Sequence, residues 1–310
     1  MMIYSDLENV RLHHTAVALG KFDGMHKGHQ LLFDKLASYK ARGLMTVIFT
    51  FSFHPASLLT GKRQQVIYTR EEKRRILSTF GADVLVEFPF TKETAHMLPG
   101  DFIKNVLVDT LGAQAVVVGN DFHFGYQRSG DVAFLRENAE KYAYTVDSQE
   151  KVCFEGAEIS ATRIREEISQ GNMEEAYEML GRRYSVSGVV VHGKGNGRTI
   201  DMPTANLIPE SEKLLPPDGV YVSRTRINDL PDAFDSVTNI GTNPTVGANN
   251  LRSIETFLLN FDGNLYGQNI SVELYKKLRD EETFSSLSTL KAQMKVDIMN
   301  AEDYLRSLKK

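Results

Sequence analysis

Along roughly the first 180 residues, short apolar runs alternate with longer stretches in which apolar residues return every three or four positions. The runs are TAVALG (15–20), MTVIFTF (45–51), ADVLVEF (82–88), AQAVVVG (113–119) and YAYTVD (142–147). They are continuous rather than alternating, the pattern of strands covered on both faces of a parallel sheet. Between them HQLLFDKLASYKARG (29–43), REEKRRILSTFG (70–81) and PGDFIKNVLVDTLGA (99–113) read as helices. Gly43, Gly81 and Gly112 stand where a helix is expected to stop. The expectation is a doubly wound α/β domain.

After YEMLGRRYSVSG (177–188) the period changes to two. GVYVSRTRI (219–227), SIETFLLNF (253–261) and NISVELYKKL (269–278) alternate, and turn signals PPDG and FDGN lie among them. This predicts a small antiparallel sheet or barrel, closed by one amphipathic helix over 287–308. The boundary is placed between Gly181 and Tyr184, giving domains 1–183 and 184–310.

Composition narrows the class. The chain has 310 residues, 25 % of them charged, and a net charge of −4, which leaves no electrostatic footprint for nucleic acid. No apolar run approaches the ~20 residues of a membrane helix, and the start lacks the order of a signal peptide. A single cysteine, Cys153, excludes an internal disulfide. It lies in the apolar run KVCFEG and is expected as a small core residue. These features suggest a cytoplasmic, soluble chain with neither nucleic-acid nor membrane partners; a monomer or weak oligomer is the expectation.

Chemistry concentrates first in GKFDGMHKGH (20–29), at the turn from the first strand into the first helix. Ligands of open α/β sheets bind beyond the carboxyl ends of strands, and phosphates favour helix N-termini. His26 and His29 are three apart and would share one face of the first helical turn. Gly24 and Gly28 permit close backbone approach. A metal site, or two surface histidines, would also place residues there. EISATRIREEI (158–168) adds Ser160, Thr162, Arg163 and Arg165 at a second helix start, as helix caps or as a phosphate clamp. In the second half, GVVVHGKGNGRTIDMPTANL (188–207) is not a P-loop, because Gly195 stands where Ser or Thr would bind magnesium. Gly193, Gly195 and Gly197 make a turn whose amides could meet phosphate. Thr204 and Asn206 offer hard oxygen donors suited to Mg²⁺. Glu255, on an alternating strand, opposes Ile254 and Thr256 in orientation, either as a general base or as a solvated strand residue.

GKFDGMHKGH with ISATRIR resembles the HxGH nucleotidylyltransferase superfamily. With TFSFHP (50–55) and VVVGNDFHFGYQRSGD (116–131), the first half looks like the adenylyltransferase module of prokaryotic bifunctional riboflavin kinase/FAD synthetases. GRTIDMPTANL, DGVYV, NIGTNPTVG, IETFLLNF, LYGQNISVEL and LRDEETFSSLSTLKAQM run in the order of the flavokinase family. The resemblance implies a chain that makes FMN from riboflavin and then FAD from FMN, with ATP as substrate and Mg²⁺ at both sites. It places ATP against Gly20, Phe22, Asp23, Gly24, His26, His29, Ser160, Thr162 and Arg165. The flavin side of that site falls to Phe53, His54, Pro55, Asn120 and Asp121. In the kinase half it assigns ATP to Gly193, Gly195, Gly197, Arg198, Thr204 and Asn206, with Thr204 and Asn206 on the metal. Glu255 becomes the base and Arg279 a flavin neighbour.

The chain departs from the family at Phe53, Asp201-Met202, Phe257 and Val246. None of these removes an implied ligand, but a carboxylate at 201 would repel ATP phosphates unless it turns away or meets magnesium. Two other readings share the motifs: an FAD synthetase with a vestigial kinase half, and a flavin-binding regulator without turnover.

Overall fold

The structure is a computed structural model that describes residues 1–52, 65–193, 202–228, 230, 232–242 and 252–308. Phe53, His54, Pro55, Gly195, Gly197, Arg198, Asp201 and Val246 lie outside the described residues. The chain divides into two compact units, Met1–Ala161 and Thr162–Lys310.

The first unit is built on strands β1 (Met2–Tyr4), β2 (Thr15–Leu19), β3 (Met45–Phe51), β4 (Val84–Phe88), β5 (Ala113–Gly119) and, after a short hairpin of β6 (His123–Phe124) and β7 (Gly130–Asp131), β8 (Thr145–Gln149). Six of these form one parallel sheet in the order β1-β4-β3-β2-β5-β8. All five residues of β2 are buried, as the continuous apolar run requires. Helix α1 (Lys27–Lys40) buries Leu32, Phe33, Leu36 and Tyr39, one apolar stripe at helical spacing, against β2, β3 and β5. Helix α2 (Arg70–Ser78) begins with a capping box in which Thr69 and Glu72 exchange side-chain and backbone hydrogen bonds. Arg70 and Arg74 then grip Glu87 on β4, itself only 3 % exposed.

Several expectations are corrected here. YAYTVD is not a strand from its start: Tyr142 ends a helical turn, Ala143 is left-handed (φ 55°), and β8 begins at Thr145. The expected helix over 99–113 is a single turn at Pro99–Asp101 followed by a π-helix, Phe102–Val108, which still buries Phe102, Ile103, Val106 and Leu107. Cys153 is exposed, not in the core. It stands opposite Glu158 in a two-stranded hairpin, β9 (Cys153–Phe154) with β10 (Ala157–Glu158), that joins no larger sheet among the described residues.

The second unit starts with helices α3 (Ala161–Gln170) and α4 (Met173–Leu180). Six antiparallel strands follow: β11 (Tyr184–Val191), β12 (Ala205–Leu207), β13 (Gly219–Ile227), β14 (Ala233–Thr242), β15 (Arg252–Leu258) and β16 (Asn269–Arg279). They close into a barrel ordered β11-β12-β15-β14-β13-β16. Helix α5 (Leu287–Ser307) ends the unit, capped by Ser286. By contact the units part at 161/162, upstream of the change of period at 183/184. The physical reason is that α4 packs on β11 and β16. Tyr304 donates to Glu174 at 2.9 Å, and the Arg183 guanidinium lies over the rings of Tyr177 and Tyr275.

Glycine φ values locate the tight points. Gly43 and Gly112 are both left-handed (φ 89° and 57°), but a Cβ at Gly43 meets open space, whereas at Gly112 it would lie 2.4 Å from the Leu12 carbonyl. Gly112→Ala is therefore expected to cost about 3 kcal/mol or more, and Gly43→Ala only about 1 kcal/mol. Denaturant unfolding of both variants checks the difference, and equal losses would contradict it.

Candidate active sites on the two units

In the first unit the nucleotide-type turn leaves β2 at Gly20 and enters α1 at His26, which takes the N-cap position without a side-chain cap bond. Between them Phe22 (φ 47°), Gly24 (φ 84°) and Met25 (φ 45°) are all left-handed. Two of the three are bulky and wholly buried, so the turn holds backbone strain of about 1–3 kcal/mol per residue. Gly20 makes this possible: a Cβ there would lie 2.7 Å from the Phe22 ring. Phe22 in turn supports the histidines, meeting the His29 ring edge-on at 5.2 Å. The imidazoles of His26 and His29 stack at 3.8 Å with 20° between their planes. A Cβ at Gly28 would press on the His26 ring at 3.2 Å, so glycine there allows the ring to fold back.

His26 Nδ1 is buried without a hydrogen-bond partner among the described residues. Burial pushes its pKa down from 6.5 to about 4, against the opposing pull of Asp23 and Asp121. The imidazole is thus neutral at pH 7, ready to donate or accept a hydrogen bond. Asn120 and Asp121 follow β5 and are exposed. Asn120 donates to Glu150 at 2.6 Å, and Asp121 pairs with Lys151 at 3.2 Å. Ser160 immediately precedes α3, and Thr162 and Arg165 lie in its first turns. Phe122 and Phe124 stack at 5.7 Å as part of the core.

One group at this turn has no signal in the sequence. Lys73, in the charged stretch REEKRR, sends its ammonium to the Lys21 carbonyl and to Thr50 Oγ1, both at 2.7 Å. The Thr50 hydroxyl also donates to the Lys21 carbonyl, at 2.9 Å. Burial pushes the Lys73 pKa down to about 8.

In the second unit one cross-barrel row carries the chemistry. Asn206 on β12 stands opposite Glu255 on β15, and Glu255 stands opposite Asn239 on β14. Asn239 opposes Val220, and Val220 opposes Arg279 on β16. The alternation holds: Ile254 and Thr256 are fully buried on the other side of the strand. Thr204, Asn239, Glu255, Phe257 and Arg279 line a cavity of about 230 Å³ between the outer barrel wall and α5. Asn206 is buried behind Thr204, its amide donating to the Thr204 carbonyl at 3.3 Å. Gly193 packs so closely that a Cβ would fall 2.5 Å from the Asn206 amide.

The structure thus brings Thr204, Glu255 and Arg279 to one cavity, with Asn206 and Gly193 adjoining. The sequence reading missed Asn239, Glu281 and Asp297. Asn239 donates to Glu281 at 2.8 Å, in space that only a glycine at 241 leaves open. Arg279 is held by Asp297 of α5 through Nε at 3.0 Å and Nη2 at 2.8 Å, a pair in which the carboxylate is 3 % exposed. That hydrogen bond raises the guanidinium pKa further. The oxygens of Thr204 and Asn206 are hard donors of the kind Mg²⁺ takes, Thr204 lining the cavity with Glu255 and Asn206 standing opposite Glu255 in register.

For His26, the folded pKa lies below the unfolded value, so protonation favours the unfolded chain. Its contribution to stability is complete above pH 6.5 and is lost as pH falls towards 4. An NMR titration of the free protein should show the His26 ring titrating near 4. A midpoint near 6.5 would contradict the desolvated placement.

The comparisons with known proteins bear on both units. The family model described as FAD synthetase matches residues 8–163, and that described as riboflavin kinase matches residues 180–305. A bifunctional riboflavin kinase/FMN adenylyltransferase of Escherichia coli strain K12 is 35 % identical, covering 93 % of this chain and 92 % of its own. One from Buchnera aphidicola is 34 % identical, with 94 % and 93 % covered. A crystal structure titled macrolide-efflux protein, from Streptococcus pneumoniae, superposes with a TM-score of 0.85 at 28 % identity, over 97 % of this chain and 98 % of that one. Among the described residues no helix of this chain is long and apolar enough to cross a membrane. With two family models in tandem and relatives matched over nearly their whole length, the chain belongs to the bifunctional riboflavin kinase/FMN adenylyltransferase family.

Proposed function

We propose that the first unit's turn and the second unit's cavity are the two reaction sites of this family, each with the residues assigned from the motifs. The observation that carries this reading is the Glu255 carboxylate, which lines a cavity with the Thr204 hydroxyl and Asn239 and stands opposite Asn206 in the barrel register.

In the kinase reaction Glu255 takes the proton from riboflavin's 5′-hydroxyl as that oxygen attacks the γ-phosphorus of ATP. The new O–P bond forms as the bond to ADP breaks. Thr204 and Asn206 would hold Mg²⁺, which when bound neutralises phosphate charge. Gly193, with Gly195, Gly197 and Arg198, meets the nucleotide. Arg279, already fixed by Asp297, presents its remaining face to the flavin.

In the adenylyltransferase reaction the FMN phosphate attacks the α-phosphorus of ATP, an O–P bond forms, and pyrophosphate leaves with the electrons of the broken bond. No covalent enzyme intermediate is needed, so the protein contributes positioning and hydrogen bonds where charge accumulates. The partnerless Nδ1 of His26 supports this role, since a phosphate oxygen supplies what the fold withholds. Gly20, Phe22, Asp23 and Gly24 shape the turn around ATP, and Ser160, Thr162 and Arg165 take the β- and γ-phosphates. Asn120 and Asp121 are assigned to the flavin side, as are Phe53, His54 and Pro55 by the motif alone. The functional boundary proposed from the change of period is 183/184. The single cysteine fits a cytoplasmic enzyme, and the net charge of −4 gives no footprint for nucleic acid.

Chromatography of flavin products with ATP and Mg²⁺ tests the assignment. Glu255→Gln should lower riboflavin phosphorylation by about 10²-fold or more while conversion of added FMN to FAD persists, and His29→Ala should do the reverse. Loss of both activities in either variant, or of neither, would contradict it.

A further inference from the structure

Lys73 is a charged side chain that the reactions described above leave unused. Its helix is fixed at both sides of it. The capping box buries Glu72, and Arg70 and Arg74 anchor α2 to Glu87 on β4. With those residues committed to β4, Lys73 is directed instead to the carboxyl ends of β2 and β3. There its ammonium, Thr50 Oγ1 and the Lys21 carbonyl close a three-membered ring of hydrogen bonds, with distances of 2.7, 2.7 and 2.9 Å. Thr50 is the penultimate residue of β3, and Lys21 is the first peptide after Gly20.

The position of that peptide matters. The three left-handed residues that follow it within four positions, Phe22, Gly24 and Met25, carry the chain to His26. Left-handed conformations of bulky residues relax unless the surroundings over-determine them. Restraining the Lys21 carbonyl fixes the end from which the strained run departs. The ammonium is also close enough to Asp23 to be stabilised by it electrostatically, which adds a second hold on the same run. Desolvation pushes this ammonium down to about 8, so the fold pays to keep a charge there that an apolar side chain would avoid.

We infer that Lys73 is a positioning residue of the adenylyltransferase site, which together with Thr50 clamps the Lys21 carbonyl and thereby fixes the strained turn that presents His26 and His29 to the ATP phosphates. The inference rests on the adenylyltransferase reading above. The role is distinct from stabilising the fold. Removing a desolvated ammonium costs the fold little, whereas an unclamped turn misplaces the histidines when charge develops on the phosphates.

The test compares Lys73→Met, Lys73→Arg, Thr50→Val and the Lys73→Met/Thr50→Val double variant in the full chain. FMN adenylylation, riboflavin phosphorylation and thermal unfolding are measured side by side. Lys73→Met should lower kcat for FAD formation by about tenfold or more, with KM for ATP changed less than about threefold. Riboflavin phosphorylation and Tm should stay at wild-type values. Lys73→Arg, which can still donate to the carbonyl, should recover part of the loss. The double variant should be no worse than Lys73→Met alone, since both substitutions break one device. A kcat within twofold of wild type would overturn the inference, as would equal losses in Met and Arg variants, additive losses, or a drop in Tm that accounts for the lost rate. A wild-type chain that makes no FAD from FMN would instead overturn the adenylyltransferase reading, and this role with it.

Discussion

A six-stranded barrel is too narrow to hold a substrate, and here its interior is already occupied by hydroxyls. Ser223, Thr225, Ser236, Thr238 and Thr256 are fully buried and bonded to one another at 2.7–3.3 Å. Barrels need about eight strands before the interior admits even a small ligand. Chemistry in this unit is therefore confined to the outer wall, and a wall needs a cover. Helix α5 provides it, packing Ala301 and Leu305 on Val222 and Tyr275. The ion pair between Arg279 and Asp297 ties that cover to β16. Removing one partner of a buried pair of this kind typically costs about 3–5 kcal/mol, so the cavity's geometry is set by a bond at its rim.

The first unit solves the same problem in a different way. Its sheet has helices on its faces, and the free surface lies where the strands end. Loops leaving β2 and β3 meet there, and the local backbone is forced into left-handed conformations by two buried residues, Phe22 and Met25. Strain on one side and the Lys73–Thr50–Lys21 ring on the other fix where the imidazoles stand. In both units the candidate groups are few and their neighbours are close: Phe22 and Gly28 beside the histidines, Asn206 and Asn239 opposite Glu255 in the adjoining strands.

Much of this was legible in the residues. Continuous apolar runs identified four of the six parallel strands closely, because burial on both faces leaves no room for polar alternation. Period two placed Glu255 on the opposite side from Ile254 and Thr256, as observed. The misses have physical causes. β1 is a three-residue edge strand with two exposed residues, too short for any period. The stretch from Phe102 has helical spacing but winds as a π-helix, a difference in hydrogen-bond partners that side-chain pattern does not encode. Cys153 shares an apolar triplet with Val152 and Phe154, yet a two-stranded hairpin has no second layer to bury it. Lys73 and Asp297 belong to no motif, and only the tertiary packing turns them inward. Glu281 depended on the space beside Gly241, which no sequence spacing reveals.

One chain with two reaction sites must carry two separate nucleotide sites. Calorimetric titration of the full chain with ATP and Mg²⁺, in the absence of any flavin, measures this directly. Two ATP equivalents bound per chain is the predicted result. A single equivalent would contradict the account, because one of the two units would then lack the nucleotide site assigned to it.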